Sequence, residues 1–183
     1  MTVRAQPESL AYHSARLLLV IWLAGKPQNK AGALPGVEGR TLLAKLDFFV
    51  RYPAYLVKAK SLLESRAEIP ESVTAASESP SVESRMVRFL YGPWDHLYYT
   101  LLAYLVGKGL VTIEGKPKME VFRVTGSGAM IANKLASHPD YADIADRAAL
   151  AYRLFNRFSG SRLKDFIYEN FPEVVSRNIG DII

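Results

Sequence analysis

The stretch 85–125 constrains the fold of this chain more than any other segment. It has the pattern of two helices, the second at 93–108, where a proline at the first helical position pre-sets φ and glycines follow the last turn. The segments 110–114 and 120–124 then alternate apolar and polar residues, which predicts two half-buried strands joined by a turn at 115–118. This order predicts a mainly α protein: a winged helix-turn-helix with a two-stranded β-wing, flanked by N-terminal and C-terminal helices.

The second of these helices has two faces of different composition. Spacings of three and four predict a buried face that consists of Trp94, Leu97, Tyr98, Leu101, Leu102 and Leu105. The opposite stripe consists of His96, Tyr99, Ala103 and Val106. That stripe lacks the Arg, Lys, Asn or Gln side chains with which a DNA-reading helix contacts base edges and phosphates.

The outward stripe therefore predicts contact with a protein, since aromatic residues are enriched in interface centres and lysine is depleted there. Tyr99 and Val106 are the candidate contacts on this helix. The alternative is that another helix of the same chain covers them. Lys116 and Lys118 at the wing tip, with Arg123 on the second strand, are candidates for weak contacts with nucleic-acid phosphates.

The N-terminal part of the chain is predicted to be helical. The range 10–24 has the length and apolar density of a mostly buried helix, whereas the Gly- and Pro-rich range 25–39 is predicted to be a loop. Thr41 is the expected cap of a second helix, and Pro53 is expected to start a third one.

Two polar side chains occur within these apolar helices. Asp47 precedes Arg51 by four positions, so an exposed helix ion pair is preferred to a catalytic carboxylate. His13 is interpreted as a packed or surface histidine without a chemical role.

The residues after the wing are predicted to form three helices and a tail. Thr125 is the expected cap of the first helix, at 126–136, and Ser159 or Ser161 is the expected cap of the last one, which Pro172 ends. Candidate partner contacts in this last region are Arg157, Arg162, Phe166 and Phe171. The apolar tail is expected to dock, on this chain or on another one.

The cations of the C-terminal helices allow two interpretations. Arg153, Arg157, Arg162 and Lys164 could form a cluster for an acidic partner or a phosphate. Acidic residues interleave with them, which favours a salt-bridged surface instead.

We predict four segments from the composition along the chain. They are N-terminal helices at 1–65, an acidic Ser- and Pro-rich linker at 66–84, a winged-helix unit at 85–137, and C-terminal helices with the tail at 138–183. Because about 60 residues of helix bury themselves poorly alone, the N-terminal helices are expected to pack on the core.

Composition and charge exclude several classes of function. The net charge is +5, and the excess of Lys and Arg within residues 1–60 is interpreted as a solvated face in preference to a nucleic-acid patch. Without cysteine there is no disulfide, thiolate metal site or cysteine nucleophile. The histidines His13, His96 and His138 lack metal-binding spacing, and no nucleophile or phosphate-loop motif is present. We therefore predict that the chain is not an enzyme, binds no cofactor or metal, has no membrane span and is cytoplasmic.

Four motifs together resemble a known family. RYPAYL, SRMVRFLYGPWDHLYYTLLAYLVGKGL, FRVTGSG and SGSRLKDFIYENFPEV look like segments of the middle component of bacterial ABC-three-component systems, which include the Lamassu-type anti-phage defence operons. The resemblance spans roughly residues 10–183. It implies a small winged-helix accessory subunit beside an SMC-like or Rad50-like ATPase and an effector, often a nuclease. It implies no catalytic residue.

Two functions follow from these observations. The first is an interaction subunit that bridges the SMC-like ATPase and the effector in an anti-phage or anti-plasmid complex, with only weak or indirect contact to DNA. The second is a winged-helix transcription regulator, which would bind a short duplex in a salt-dependent, sequence-specific manner through the wing lysines.

Overall fold

The computed structural model describes residues 9–27, 32–69, 86–89, 92–176 and 178–183. In this part of the chain the protein is mainly helical, as the sequence predicts. The helices are α1 (Leu10–Ala24), α2 (Gly39–Arg51), α3 (Pro53–Ser65), α4 (Tyr98–Gly107), α5 (Gly126–Ala136), α6 (Ala142–Phe155), α7 (Gly160–Asn170) and α8 (Pro172–Val175), with a 3₁₀ turn at Pro139–Tyr141. The strands are β1 (Gly36–Glu38), β2 (Val87–Phe89), β3 (Gly92–Trp94), β4 (Val111–Glu114) and β5 (Val121–Val124).

Three helices that have a capping residue or a proline at their first positions begin where the sequence predicts. The Thr125 hydroxyl accepts a hydrogen bond from the Gly128 N–H at 2.9 Å and starts α5. Ser159 does the same for the Arg162 N–H at the start of α7, at 3.2 Å. Pro53 occupies the first turn of α3. These caps satisfy backbone donors that have no partner inside the helix.

The sheet contains one strand more than expected. β4 and β5 pair antiparallel, with Ile113 opposite Phe122, which confirms the predicted two-stranded ribbon. β1 adds to the other edge of β5, so that the order is β1-β5-β4. The prediction of a loop throughout 25–39 is therefore wrong, because a three-residue strand is too short to show a period in sequence.

The region before α4 also differs from the prediction. β2 and β3 form an antiparallel hairpin where the first helix of the motif and the start of the second were expected. Gly92 has a φ of +93°, which is incompatible with a right-handed helix. Consequently Pro93 lies in a strand, and α4 begins only at Tyr98.

The start of α2 is capped by the sheet and not by Thr41. The helix begins at Gly39, whose N–H donates to the Glu120 carbonyl at 2.8 Å. The Glu38 side chain makes no capping hydrogen bond. A backbone acceptor from the end of the wing therefore replaces the predicted hydroxyl cap.

α1 is the centre of the core. Five consecutive residues, Leu17 to Ile21, are at most 1% exposed, because α2, α4, α5 and α6 pack around this helix. A helix with apolar residues on all sides is typical of such a central position.

Most of the predicted linker 66–84 lies outside the described residues, and the division into four segments stays a prediction.

A polar network is buried where α1, α2 and α4 meet. The Asp47 carboxylate accepts hydrogen bonds from Arg16 Nε at 2.8 Å and from the Tyr98 hydroxyl at 2.7 Å, and Arg51 Nη1 lies 3.7 Å away. Asp47 and Arg16 are fully buried and Arg51 is 2% exposed, so the prediction of an exposed Asp47–Arg51 pair is wrong. Arg51 also donates to Asp95, immediately before α4, at 2.8 Å.

Charge balance keeps this carboxylate ionised inside the protein. Burial by itself raises the pKa of Asp47, but the guanidinium groups of Arg16 and Arg51 outweigh that effect and lower the pKa below its ordinary value. His13 continues the network, because its Nδ1 lies 2.7 Å from Arg16 Nη1. Burial and the charge of Arg16 lower the pKa of His13 to about 4, so its neutral ring accepts this hydrogen bond.

We expect Asp47→Asn to lower the free energy of unfolding by about 3–5 kcal/mol, because the buried Arg16 guanidinium loses its carboxylate partner and Arg51 is left with Asp95. Tyr98→Phe removes only one hydrogen bond and should cost about 1.5–3 kcal/mol. The half-buried Lys60–Glu64 pair, whose side chains are 15% and 20% exposed, is the control, since Glu64→Gln should cost less than about 1 kcal/mol. Urea unfolding at neutral pH measures all three, and an Asp47→Asn loss no larger than the Glu64→Gln loss would contradict this account.

Candidate partner-binding surface

The two faces of α4 are as the sequence predicts. Tyr98, Leu101, Leu102 and Leu105 are buried. On the opposite face Tyr99 is 59% exposed and Val106 is 39% exposed, so no other helix in the described part of the chain covers them. Leu97 was expected in the core but is 44% exposed, because it precedes the first turn of the helix.

Contacts with a neighbouring element hold Tyr99 in place. Its hydroxyl accepts a hydrogen bond from Arg40 Nη1 at 3.2 Å, and the guanidinium carbon lies 5.5 Å from the centre of the ring. Arg40 Nη2 donates to Glu120 at 3.0 Å. One arginine at the start of α2 therefore links the outward face of α4 to the end of the wing. Nothing in the local pattern around Arg40 indicates this role.

The wing adds further exposed apolar side chains beside this face. Met119 is 74% exposed and precedes Glu120 directly, while Ile113 on the edge strand is 51% exposed. Lys116 and Lys118 are exposed at the wing tip and make no ion pair with a described residue. The surface thus has an apolar and aromatic centre with lysines at its rim, which is the composition of many protein interfaces. We call these residues, with those on the outward side of α4, the α4 face.

Arg123 does not belong to this surface. Its side chain is buried against the sheet, with Nε within 3.0 Å of both Glu114 oxygens and Nη1 donating to the Leu34 carbonyl at 2.6 Å. The sequence-based assignment of Arg123 to a phosphate contact is therefore wrong. The residue joins β5 to β4 and to the segment that precedes β1.

The C-terminal candidates divide into buried and exposed residues. Phe166 and Phe171 are at most 5% exposed and pack in an aromatic cluster with Phe49 and Phe155, so they are core residues and not contacts for a partner. The helical period that predicts an apolar face places Phe166 inward. The side chain of Arg162 is exposed, as expected, and Arg157 is exposed as well.

The sequence left open whether the apolar tail docks on this chain or on another one, and the structure shows it docked on this chain. The Ile183 N–H donates to the Met86 carbonyl at 2.9 Å, and the Tyr52 hydroxyl donates to the Ile183 carbonyl at 3.2 Å. The same hydroxyl accepts from the Met86 N–H at 2.8 Å. Tyr52 therefore joins the last residue to the strand that begins the β2–β3 hairpin.

Lys45 is the most unusual titratable group outside the Asp47 network. It is 1% exposed, and its Nζ donates to the Pro93 carbonyl at 3.2 Å. Burial, with a smaller effect from the charge of Lys164, lowers the pKa of Lys45 to about 7. The residue lies against the backbone of β3, so its environment indicates a packing role.

No protein-family model, curated protein or solved structure matches this chain. Among the described residues, no group of three or more His, Cys, Asp or Glu side chains is arranged to hold a metal ion. None of the described helices combines the length and the apolar composition that crossing a bilayer requires.

We expect Lys45 to make stability depend on pH between about 7 and 10.5. In this range the unfolded chain keeps a proton on Lys45 that the folded protein has lost, so the free energy of unfolding rises as the pH rises. The slope is at most about 1.4 kcal/mol for each pH unit. Urea unfolding over this range should show the rise in the wild type and a flatter profile in Lys45→Met. Parallel profiles for the two proteins would contradict the lowered pKa.

Proposed function

We propose that this protein is a non-catalytic accessory subunit that binds a larger protein through the α4 face. The observation that supports this proposal is the exposure of Tyr99 and Val106 on a helix whose other side is buried. Buried aromatic anchors surrounded by a polar rim supply most of the binding energy in protein interfaces. The ordered contact with Arg40 reduces the entropy that Tyr99 loses on binding.

The resemblance to the middle components of ABC-three-component systems suggests who the partners are. In this proposal an SMC-like or Rad50-like ATPase and an effector are joined by the chain within an anti-phage or anti-plasmid defence complex. The mechanism is positional, because the subunit holds the effector in register until the ATPase engages foreign DNA. Three of the groups with shifted pKa values, His13, Lys45 and Asp47, are buried within the fold, which supports a role without catalysis for them.

The order of the elements supports a winged-helix unit within this proposal. α1, β1, α2, α4, β4 and β5 follow each other along the chain, and β1 closes the sheet on β5. In this assignment α4 corresponds to the helix that enters the major groove in DNA-binding relatives of the motif. α3 and the β2–β3 hairpin are then an insertion between α2 and α4.

The proposal predicts that an SMC-like ATPase is encoded beside this gene, and co-purification of the two gene products tests it. We expect Tyr99→Glu with Val106→Glu to weaken binding about thirtyfold or more, since a charge replaces each central apolar contact. Met130→Glu is the matched control, because Met130 is 56% exposed on α5, outside the α4 face. Equal capture of the ATPase by wild type and the double variant would disprove the role of this face.

The alternative function is a winged-helix transcription regulator, and the unpaired lysines of the wing tip favour it. It predicts tight binding to one short duplex, with affinity that falls steeply as salt rises. Lys116→Ala with Lys118→Ala should then reduce duplex affinity about tenfold and lower the salt dependence. Fluorescence anisotropy with labelled duplexes from the gene's own promoter measures both. We expect weak binding without sequence preference, and a specific operator complex would establish the alternative instead.

A further inference from the structure

A cleft of ≈ 730 Å³ lies between the end of α3 and the region that joins α6 to α7. Its apolar surface comes from Leu63, Leu154 and Phe158, and its polar surface includes Arg153, Arg157 and Arg162. No residue of α4 or of the wing lines it. The cleft is therefore separate from the α4 face.

Arg153 and Arg157 are available for a ligand. Arg153 lies in the last turn of α6 and Arg157 in the turn that follows the helix, and both line the cleft and are exposed. Neither makes an ion pair with any described residue. The salt-bridged surface expected from the sequence therefore does not form at these two positions.

Arg162 completes the group from the other side of the cleft. Its guanidinium carbon lies 4.1 Å from the centre of the Phe158 ring, and Nη2 is 2.9 Å from a Glu68 oxygen. The stacking holds the guanidinium plane against the apolar surface of the cleft. Glu68 is the one acidic residue that lines the cleft against three arginines.

Helix stability explains only part of this arrangement. Cations at the end of a helix favour its dipole, which accounts in part for Arg153 and Arg157 after α6. Arg162, however, lies in the first turn of α7, where the same dipole disfavours a positive charge. Its contacts with Phe158 and Glu68 offset that cost and hold the side chain at the edge of the cleft.

We infer that this cleft binds an acidic peptide segment of a partner protein, with carboxylates on Arg153 and Arg157 and an apolar side chain against Leu154 and Phe158. Guanidinium groups bind carboxylates in a bidentate manner, and the volume suits a few residues of peptide. Glu68 in the wall and the apolar floor are unfavourable for a nucleic-acid backbone, which needs a continuous positive track.

Fluorescence anisotropy of the full chain with labelled peptides tests this inference. The probes are short peptides in which one Leu, Phe or Trp is flanked by glutamates, each compared with the same peptide containing glutamine. We expect at least one acidic probe to bind about tenfold tighter than its glutamine counterpart, with affinity that falls as salt rises. Arg153→Glu with Arg157→Glu should abolish this preference.

The matched control is Lys108→Glu with Lys134→Glu, which changes the net charge equally at exposed sites outside the cleft. This control should keep the preference, and circular dichroism with thermal unfolding verifies that both variants fold. Phe158→Leu removes the ring under Arg162 and should weaken the probe less than charge reversal does. Equal binding of glutamate and glutamine peptides, equal loss in the control, or competition of the probe by single-stranded DNA at the same residues would overturn the inference.

Discussion

The arrangement of the first, second and fourth helices depends on one buried carboxylate. Asp47 on α2 binds Arg16 from α1 and Tyr98 from α4, and a charge without such partners would be strongly destabilising in the interior. The hydrogen bonds from Arg16 and Tyr98 to the Asp47 carboxylate constrain how the three helices are oriented relative to one another. Because Tyr98 points inward to this carboxylate, its neighbour Tyr99 must point outward. The same network thus stabilises the core and decides which side chains α4 presents to a partner.

The two exposed surfaces have different chemistry. The α4 face is apolar and aromatic, with Arg40 fixing Tyr99 and the wing lysines at its edge. The cleft beside α6 has arginines over an apolar floor. Because they involve separate elements, one partner can occupy each surface without displacing the other. The proposed joining of two proteins requires two such separate surfaces, whereas a DNA-binding protein uses a continuous positive surface.

Sequence patterns predicted the elements whose causes are local and misjudged those whose causes are distant. The helix caps at Thr125 and Ser159, the start of α3 at Pro53 and the β4–β5 ribbon each depend on residues close in sequence, and all were predicted. The β2–β3 hairpin was missed because apolar residues in a short segment fit either a helix or a strand. Phe166 and Phe171 were placed at a surface because hydrophobicity alone does not distinguish a core residue from an interface residue.

The sequence by itself determined the mainly helical composition, the two faces of the helix at 98–107 and the β4–β5 ribbon, since periodicity and capping act within a few positions. Tertiary structure decided the partners of the charged residues. Asp47 pairs with Arg16 across 31 positions, Arg123 is held by Glu114 and the Leu34 carbonyl, and Arg40 reaches Tyr99 and Glu120. The partner of a charged side chain can lie far away in sequence, and its solvation depends on all the residues packed around it. A local sequence pattern therefore does not predict which charged residues pair.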